Sequence, residues 1–343
     1  MVDNQIIDSF MKRFFTIAAA LCAAAIAFGQ TSSEDWIIRA ENFCKSRYYG
    51  ITSANGVIGL ISSKEPFRMH EVVLAGVYDH FGRGRVNNFL PNISPLDLDI
   101  LIDKTKLRSS NVTNYTQTLD MRTGEFVGEL EYKGSKISYR YCALRHLSHA
   151  VLMEVEITPA NDLTLDASIS HRVPSSLHGA EMTVNDWSFK LKKEPPFTVI
   201  TTTALSPSES VKMASSSFFL FEDADATTPV YHRTHNNDQH NIYFTKVLRA
   251  GKSFKFQVIG SLISSAHTAD PLNQAERIVT YARFQKKGEL LRKHREAWAK
   301  LWESDIVIEG DLQAQKEVRS MEDKLIVALY HGRDPRAVTE SQS

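Results

Sequence analysis

From residue 50 to residue 265 the chain is a succession of short runs rich in β-branched and aromatic residues, divided by clusters of Gly, Pro, Asn, Asp and Ser. No other feature constrains the fold as much, because a strand sends successive side chains to opposite faces of a sheet. In Phe254-Lys-Phe-Gln-Val258 every second residue is apolar, so one face packs inward while Lys255 and Gln257 meet water. Glu154 and Glu156 alternate in the same way with Met153, Val155 and Ile157. Strands are expected over 72–78, 98–102, 124–132, 136–144, 152–158, 163–170, 198–204, 217–221, 241–248 and 254–263. That number exceeds what one open sheet holds comfortably, and two packed sheets solve the problem. The expected fold class is mainly β, a large two-sheet antiparallel β-sandwich.

After residue 265 the period changes. Asp270 can cap a helix, Pro271 suits its first turn, and Ala275, Ile278, Val279 and Ala282 form an apolar stripe. Gly288 interrupts, and a second helix carries Leu290, Leu291, His294, Trp298, Leu301 and Trp302. Residues 306–308 read as a short strand, and Asp311 as the cap of a helix running from Leu312 to about Met321. Upstream, Trp36, Ile37 and Ala40 recur at helix spacing within 33–47, predicting a helical turn opened by Ser33 or Asp35.

Met11-Lys-Arg13 followed by an apolar run to Ala27, with small residues before Gln30, has the three parts of a secretory signal. Cleavage is expected after Gly29, and the product is expected to be exported to the periplasm or the medium with no stable membrane anchor. A run of about fourteen residues falls short of the roughly 20 that a bilayer span needs. Leu21 before Cys22 does not suit a lipoprotein box. Cys44 and Cys142 remain, either as a disulfide or as two small buried hydrophobes. With 40 basic and 40 acidic residues in 343, 43% hydrophobic and 23% charged, the chain can bury a full core, and nothing in its total charge favours nucleic acid or an anionic membrane, so no nucleic-acid partner is expected.

Three stretches share the order and spacing of glycoside hydrolase family 65: Asn55-Gly-Val-Ile-Gly59, Leu119-Asp-Met-Arg-Thr-Gly-Glu125, and Trp298-Ala-Lys-Leu-Trp302 continuing to Asp311. The first is similar to that family's NG-x-x-G turn, the second to its LD-x-R-x-G segment, and the third to its passage from sandwich to helical barrel. The resemblance runs from about Trp36 to about Arg319. It implies an N-terminal super-sandwich, two linker helices covering the end of that sandwich, and an α-glucoside or other oligosaccharide as substrate of the intact enzyme, by hydrolysis or phosphorolysis. It also implies that the catalytic acid lies in the barrel, to which no position here corresponds. The expected organisation is a signal peptide over 1–29, a sandwich over 30–265, a helical linker over 266–310, and over 311–343 the start of a truncated barrel with an atypical tail.

Inverting glycoside cleavage needs one carboxylic acid on the leaving oxygen and a second group across the sugar that activates water, or phosphate in its place. Glu303 with Asp305, Asp120 with Glu125, and Asp223 with Asp225 are close in sequence, which is not that geometry, so no catalytic residue is assigned. His232, His235 and His240 form the densest imidazole cluster, and His146 and His149 lie three apart, but neither has the spacing of a closed metal set, so no metal or cofactor is expected. Residues 79–89, with Gly82 and Gly84, form a Gly/Arg/Asn-rich connection that could meet a ligand. Trp298 and Trp302, on one stripe with Leu301, read as interior packing rather than a sugar platform. Asn92, Asn111 and Asn114 match glycosylation acceptors. The leading expectation is thus the non-catalytic part of an exported family 65-like enzyme, inactive by itself. The alternatives are a carbohydrate-binding module or a degenerate gene product, and the sequence leaves the oligomeric state open.

Overall fold

The structure, a computed structural model, describes residues 33–40, 48–80, 87–187, 197–222, 228–234, 240–308 and 310–320. Its central layer is a nine-stranded antiparallel sheet in the order β1-β8-β9-β10-β11-β18-β15-β14-β13. These strands are β1 (Ile37–Ala40), β8 (Thr113–Asp120), β9 (Glu125–Tyr132), β10 (Ser135–Ala143), β11 (Ala150–Thr158), β13 (His178–Trp187), β14 (Phe197–Leu205), β15 (Lys212–Phe221) and β18 (Phe254–Ser264). The second layer is divided. One part is a five-stranded sheet, β16 (Tyr231–Thr234), β17 (His240–Leu248), β12 (Leu163–Ile169), β6 (Leu98–Ile102) and β7 (Thr105–Lys106). The other is a four-stranded sheet of β2 (Thr52–Ala54), β3 (Ile58–Ser62), β4 (Met69–His80) and β5 (Asn87–Pro91).

Side-chain alternation explains the layering. On β18, Phe254, Phe256, Val258 and Leu262 join the core between the sheets, as do Val151, Met153, Val155 and Ile157 of β11. Phe244 of β17 meets Phe219 and Phe256 of the large sheet edge-on at 5.0 and 5.1 Å. At such separations aromatic pairs contribute about 1 kcal/mol beyond the area they bury. The opposite face of the large sheet is apolar only in part, at Leu152, Phe218, Ile259 and Ile263, and there it is covered by α1 (Pro271–Arg283) and α2 (Glu289–Leu301). The helices thus lie on that face as well as at the end of the sandwich, because strands buried on both sides lose the polar alternation that Lys255 and Gln257 still show further along.

Asp270 caps α1 through Asn273 N–H, with Pro271 in the first turn. Between α1 and the sheet lies a seam of hydroxyls: Ser261 Oγ donates to Ala275 O at 2.9 Å, and Thr201 Oγ1 donates to Glu276 Oε1 at 3.0 Å. On the inner face His171 bridges Thr202 Oγ1 and Ser217 Oγ, each at 2.9 Å. Ser217 spends its single proton on Pro95 O, so His171 carries its hydrogen on Nε2 and accepts from Thr202 at Nδ1. Burial lowers the His171 pKa to about 3.

Two expectations are corrected. Trp36 closes a 3-10 turn (Ser33–Trp36), but Ile37–Ala40 is a strand, paired from Ile37↔Asp120 to Ala40↔Gln117, because the open edge of β8 offers backbone partners that a short helix lacks. Residues 41–47 lie outside the described residues. Residues 306–308 form no strand: Ile306 and Val307 are exposed, and the Gln315 side chain takes Ile306 O and Ile308 N in place of a ladder. Gln315 belongs to α3 (residues 312–320), capped by Asp311 as its spacing predicts. Among the described residues no helix is long and apolar enough to cross a membrane; the signal expected over 1–29 lies outside them.

Candidate functional site

Residues 55–59, 119–125 and 298–302, far apart in sequence, meet around α2. His294 and Trp298 stand one helical turn apart on its buried side, and Trp302 follows after another turn. Trp298 lies on the β8–β9 turn, where Gly124 has φ 61° and an added Cβ would come 2.6 Å from Trp298 Cζ2. Glycine is required there twice over, for the backbone conformation and for the indole. Trp298 stacks on Trp302 at 6.0 Å and 22°, and Trp36 meets Trp302 edge-on at 4.9 Å. Trp302 Nε1 donates to Met121 O, while Met121 N–H donates to Trp36 O. These tryptophans pack inside the protein, as their helical spacing suggests.

Asn55 is the polar hub. Its Nδ2 donates to Leu144 O and Ser148 O, both at 2.9 Å, and its Oδ1 accepts from Val57 N–H and Ile58 N–H. Its carbonyl accepts from the Arg145 guanidinium, which also lies 6.0 Å from the Trp298 ring. Arg145 N–H donates to His294 Nδ1 at 3.0 Å, which leaves Nε2–H to donate to Thr123 O at 2.6 Å. Both ring nitrogens are thereby satisfied in the neutral form, and burial lowers the His294 pKa to about 4.

The acidic groups are engaged in the same way. Glu125 is 4% exposed; Arg295 grips it through two bonds of 2.5 and 2.9 Å, and Arg140 Nε approaches to 3.2 Å. Asp120, its cross-strand partner, binds Arg122 at 3.0 Å. Asp305 binds Arg319 at 2.6 Å, with the Arg319 guanidinium 3.6 Å from the Trp36 ring centroid, while Glu303 is exposed. None of these pairs faces the other across a cleft. Asp223 and Asp225 lie outside the described residues.

The remaining candidates disperse. His149 bonds Leu262 O and meets His267 edge-on at 4.8 Å, whereas His146 interacts with Lys293 and Glu289 of α2; burial lowers the pKa of both His146 and His149. His240 Nδ1 lies 3.1 Å from Thr234 Oγ1, exposed His232 is on the neighbouring strand, and His235 lies outside the described residues. Among the described residues no group of three or more His, Cys, Asp or Glu is placed to hold a metal. Asp79 accepts from Ser208 N–H and Oγ, while Gly82 and Gly84 lie outside the described residues. Cys142 is a buried thiol, while Cys44, its partner in the disulfide alternative, and Cys22 lie outside the described residues. Asn92 is 2% exposed and no acceptor for a glycan; Asn111 and Asn114 are exposed. Sequence reasoning missed Asn55 as a hub, and also Arg145, Arg295 and Arg319. The one local signal was His294, a polar residue on an otherwise apolar stripe.

The arrangement at this end of the sandwich can hold backbone turns, helices and tryptophans in fixed relation; it does not offer an acid and a base to a substrate. Residues 50–301 match the family described as glycosyl hydrolase family 65, N-terminal domain. The chain is 39% identical over 313 residues to a kojibiose hydrolase of Flavobacterium johnsoniae, covering 91% of this chain and 44% of that protein. It is 38% identical over 317 residues to a kojibiose hydrolase of Mucilaginibacter mallensis, covering 92% and 45%. The chain therefore spans less than half the length of these curated relatives. Among solved structures, a candidate kojibiose phosphorylase from the human microbiome shares the fold, with a TM-score of 0.67 at 14% identity, over 87% of this chain and 42% of that one.

Proposed function

The chain belongs to glycosyl hydrolase family 65, whose N-terminal domain it carries, and from this premise we propose that it is the sandwich portion of an exported enzyme cleaving α-glucosides, kojibiose foremost. In this reading the described residues position the part of the enzyme that follows them and do not themselves break the glycosidic bond. The observation that carries the reading is the match, along nearly all of this chain, to hydrolases named for kojibiose. The geometry supports the second half. Inversion sets two carboxyl groups roughly 6.5–9.5 Å apart across the sugar, whereas Asp120, Glu125 and Asp305 each hold an arginine.

The test is turnover. The purified 343-residue chain is incubated with kojibiose, maltose and trehalose, with and without phosphate, and no glucose or glucose phosphate is expected above a blank. Release that disappears when one of its own carboxylates is changed would overturn the reading. Export is tested by N-terminal sequencing of the protein from the periplasm and medium, where a mature chain starting at Gln30 is expected and a cytoplasmic, uncleaved chain refutes it.

A further inference from the structure

The β16–β17 ribbon, at the edge of the five-stranded sheet, carries a patch that the fold does not use. Register places Tyr231 opposite Tyr243 and Arg233 opposite Asn241. Period two then sets all four on the face opposite to the buried Ile242 and Phe244. Tyr231 is 51% exposed. Its ring lies 5.7 Å from that of Tyr243 at 36°, and the Arg233 guanidinium is 5.0 Å from the Tyr243 centroid. Tyr243 is thus fixed between two neighbours and steadies Tyr231, whose ring is left to water. Beside them Asn241 Oδ1 accepts no hydrogen bond from the described residues, and a rotation of this half-buried side chain toward the patch brings that oxygen within reach of a ligand. A buried acceptor without a donor is unfavourable, and it is relieved when a donor arrives.

We propose that this patch binds a neutral saccharide, one sugar ring stacking on Tyr231 while a hydroxyl donates to Asn241 Oδ1 and another accepts from Arg233. The weakly positive C–H face of a pyranose complements the negative face of a phenol ring, and its hydroxyls serve as donor and acceptor together. Charge argues for a neutral ligand because the acids on this face are taken up within it, Asp99 being held by Arg68 as well as by Lys106. Lys106 already pairs with Asp99 at 2.7 Å, and Thr245 hydroxyl donates to Asp166. The stacking geometry stands alone; that the sugar is an α-glucoside rests on the proposed function.

The experiment is titration calorimetry of the whole chain with kojibiose and, in parallel, cellobiose, for wild type, Tyr231→Ala and Asn241→Ala, with melting temperatures as the folding control. Saturable kojibiose binding is expected, about tenfold weaker in each variant at unchanged melting temperature. Absence of binding to both sugars, or undiminished binding by Tyr231→Ala, would overturn the site. Binding of cellobiose alone would support the patch and count instead against the α-glucoside reading. A dimer in sedimentation velocity that Tyr231→Ala dissolves would also overturn it, assigning the patch to a second copy of this chain.

Discussion

Replacing Asn55 by alanine removes four side-chain hydrogen bonds at a position only 3% exposed. Each such bond contributes about 1 kcal/mol net, and each partner left dry costs about 1–3 kcal/mol, offset where water enters the small space vacated. The expected destabilisation is roughly 3–5 kcal/mol, a large share of the roughly 5–15 kcal/mol that holds a typical domain folded. Urea unfolding followed by tryptophan fluorescence reads the junction directly, because Trp298 lies beside Arg145, whose loop the Asn55 side chain ties down at Leu144 O and Ser148 O. With a slope of about 3 kcal/mol per molar urea, the midpoint should fall by about 1–1.7 M. Asn55→Asp retains the acceptor but turns oxygen toward Leu144 O and Ser148 O, so it should behave like alanine and not like wild type. A change below about 1 kcal/mol in both variants, at unchanged slope, would refute the assignment of Asn55 as the hub.

Acidification should destabilise the protein through its two buried imidazoles. His294 and His171 stay neutral in the folded state down to about pH 4 and pH 3, while the unfolded chain takes up a proton near its ordinary pKa of 6.5. Their contribution is therefore complete above pH 6.5 and is lost as pH falls toward the folded values, at about 1.4 kcal/mol per pH unit for each. Urea midpoints at pH 7, 5 and 4 check this, and His294→Gln should show the shallower dependence. Gly124→Ala places a methyl group against Trp298 at a positive φ and should cost about 3 kcal/mol with a shift in tryptophan emission; an unchanged melt would contradict the packing. Trp36→Ala strips Arg319 of its ring and Trp302 of its edge contact, a loss of roughly 3–5 kcal/mol. Amide exchange over residues 312–320 should accelerate in that variant, and unaltered protection would show that α3 is held by other contacts.

Much of the fold was legible because it rests on local periodicity. Phe254 to Val258 announces a half-buried strand, and Asp270, Pro271 and the stripe from Ala275 to Ala282 announce a capped helix lying on something apolar. Where local pattern and long-range pairing compete, reading the chain failed. Trp36, Ile37 and Ala40 suit a helix turn, but the turn ends at Trp36 and the edge of β8 captures Ile37 and Ala40. Residues 306–308 look like a strand, but Gln315 takes the backbone groups that a ladder would need. The strand β13 escaped notice because its side chains are mostly exposed and carry little alternation. The junction was hidden for a related reason. Asn55, Thr123 and His294 acquire their roles from contacts spanning up to 171 positions, which no window of neighbouring residues contains. The family motifs marked the three stretches without revealing that they touch.

The meeting of Trp36 with Trp302 and Arg319 sets an order of assembly. During synthesis the first described strand emerges early, yet the rings and guanidinium that fasten it leave the ribosome only after the whole sandwich has been made. Until then β1 and the neighbouring edge have no lock, and nascent chains ending before residue 302 should engage chaperones or cling to one another. Chains extended past residue 319 should snap shut in a single late step.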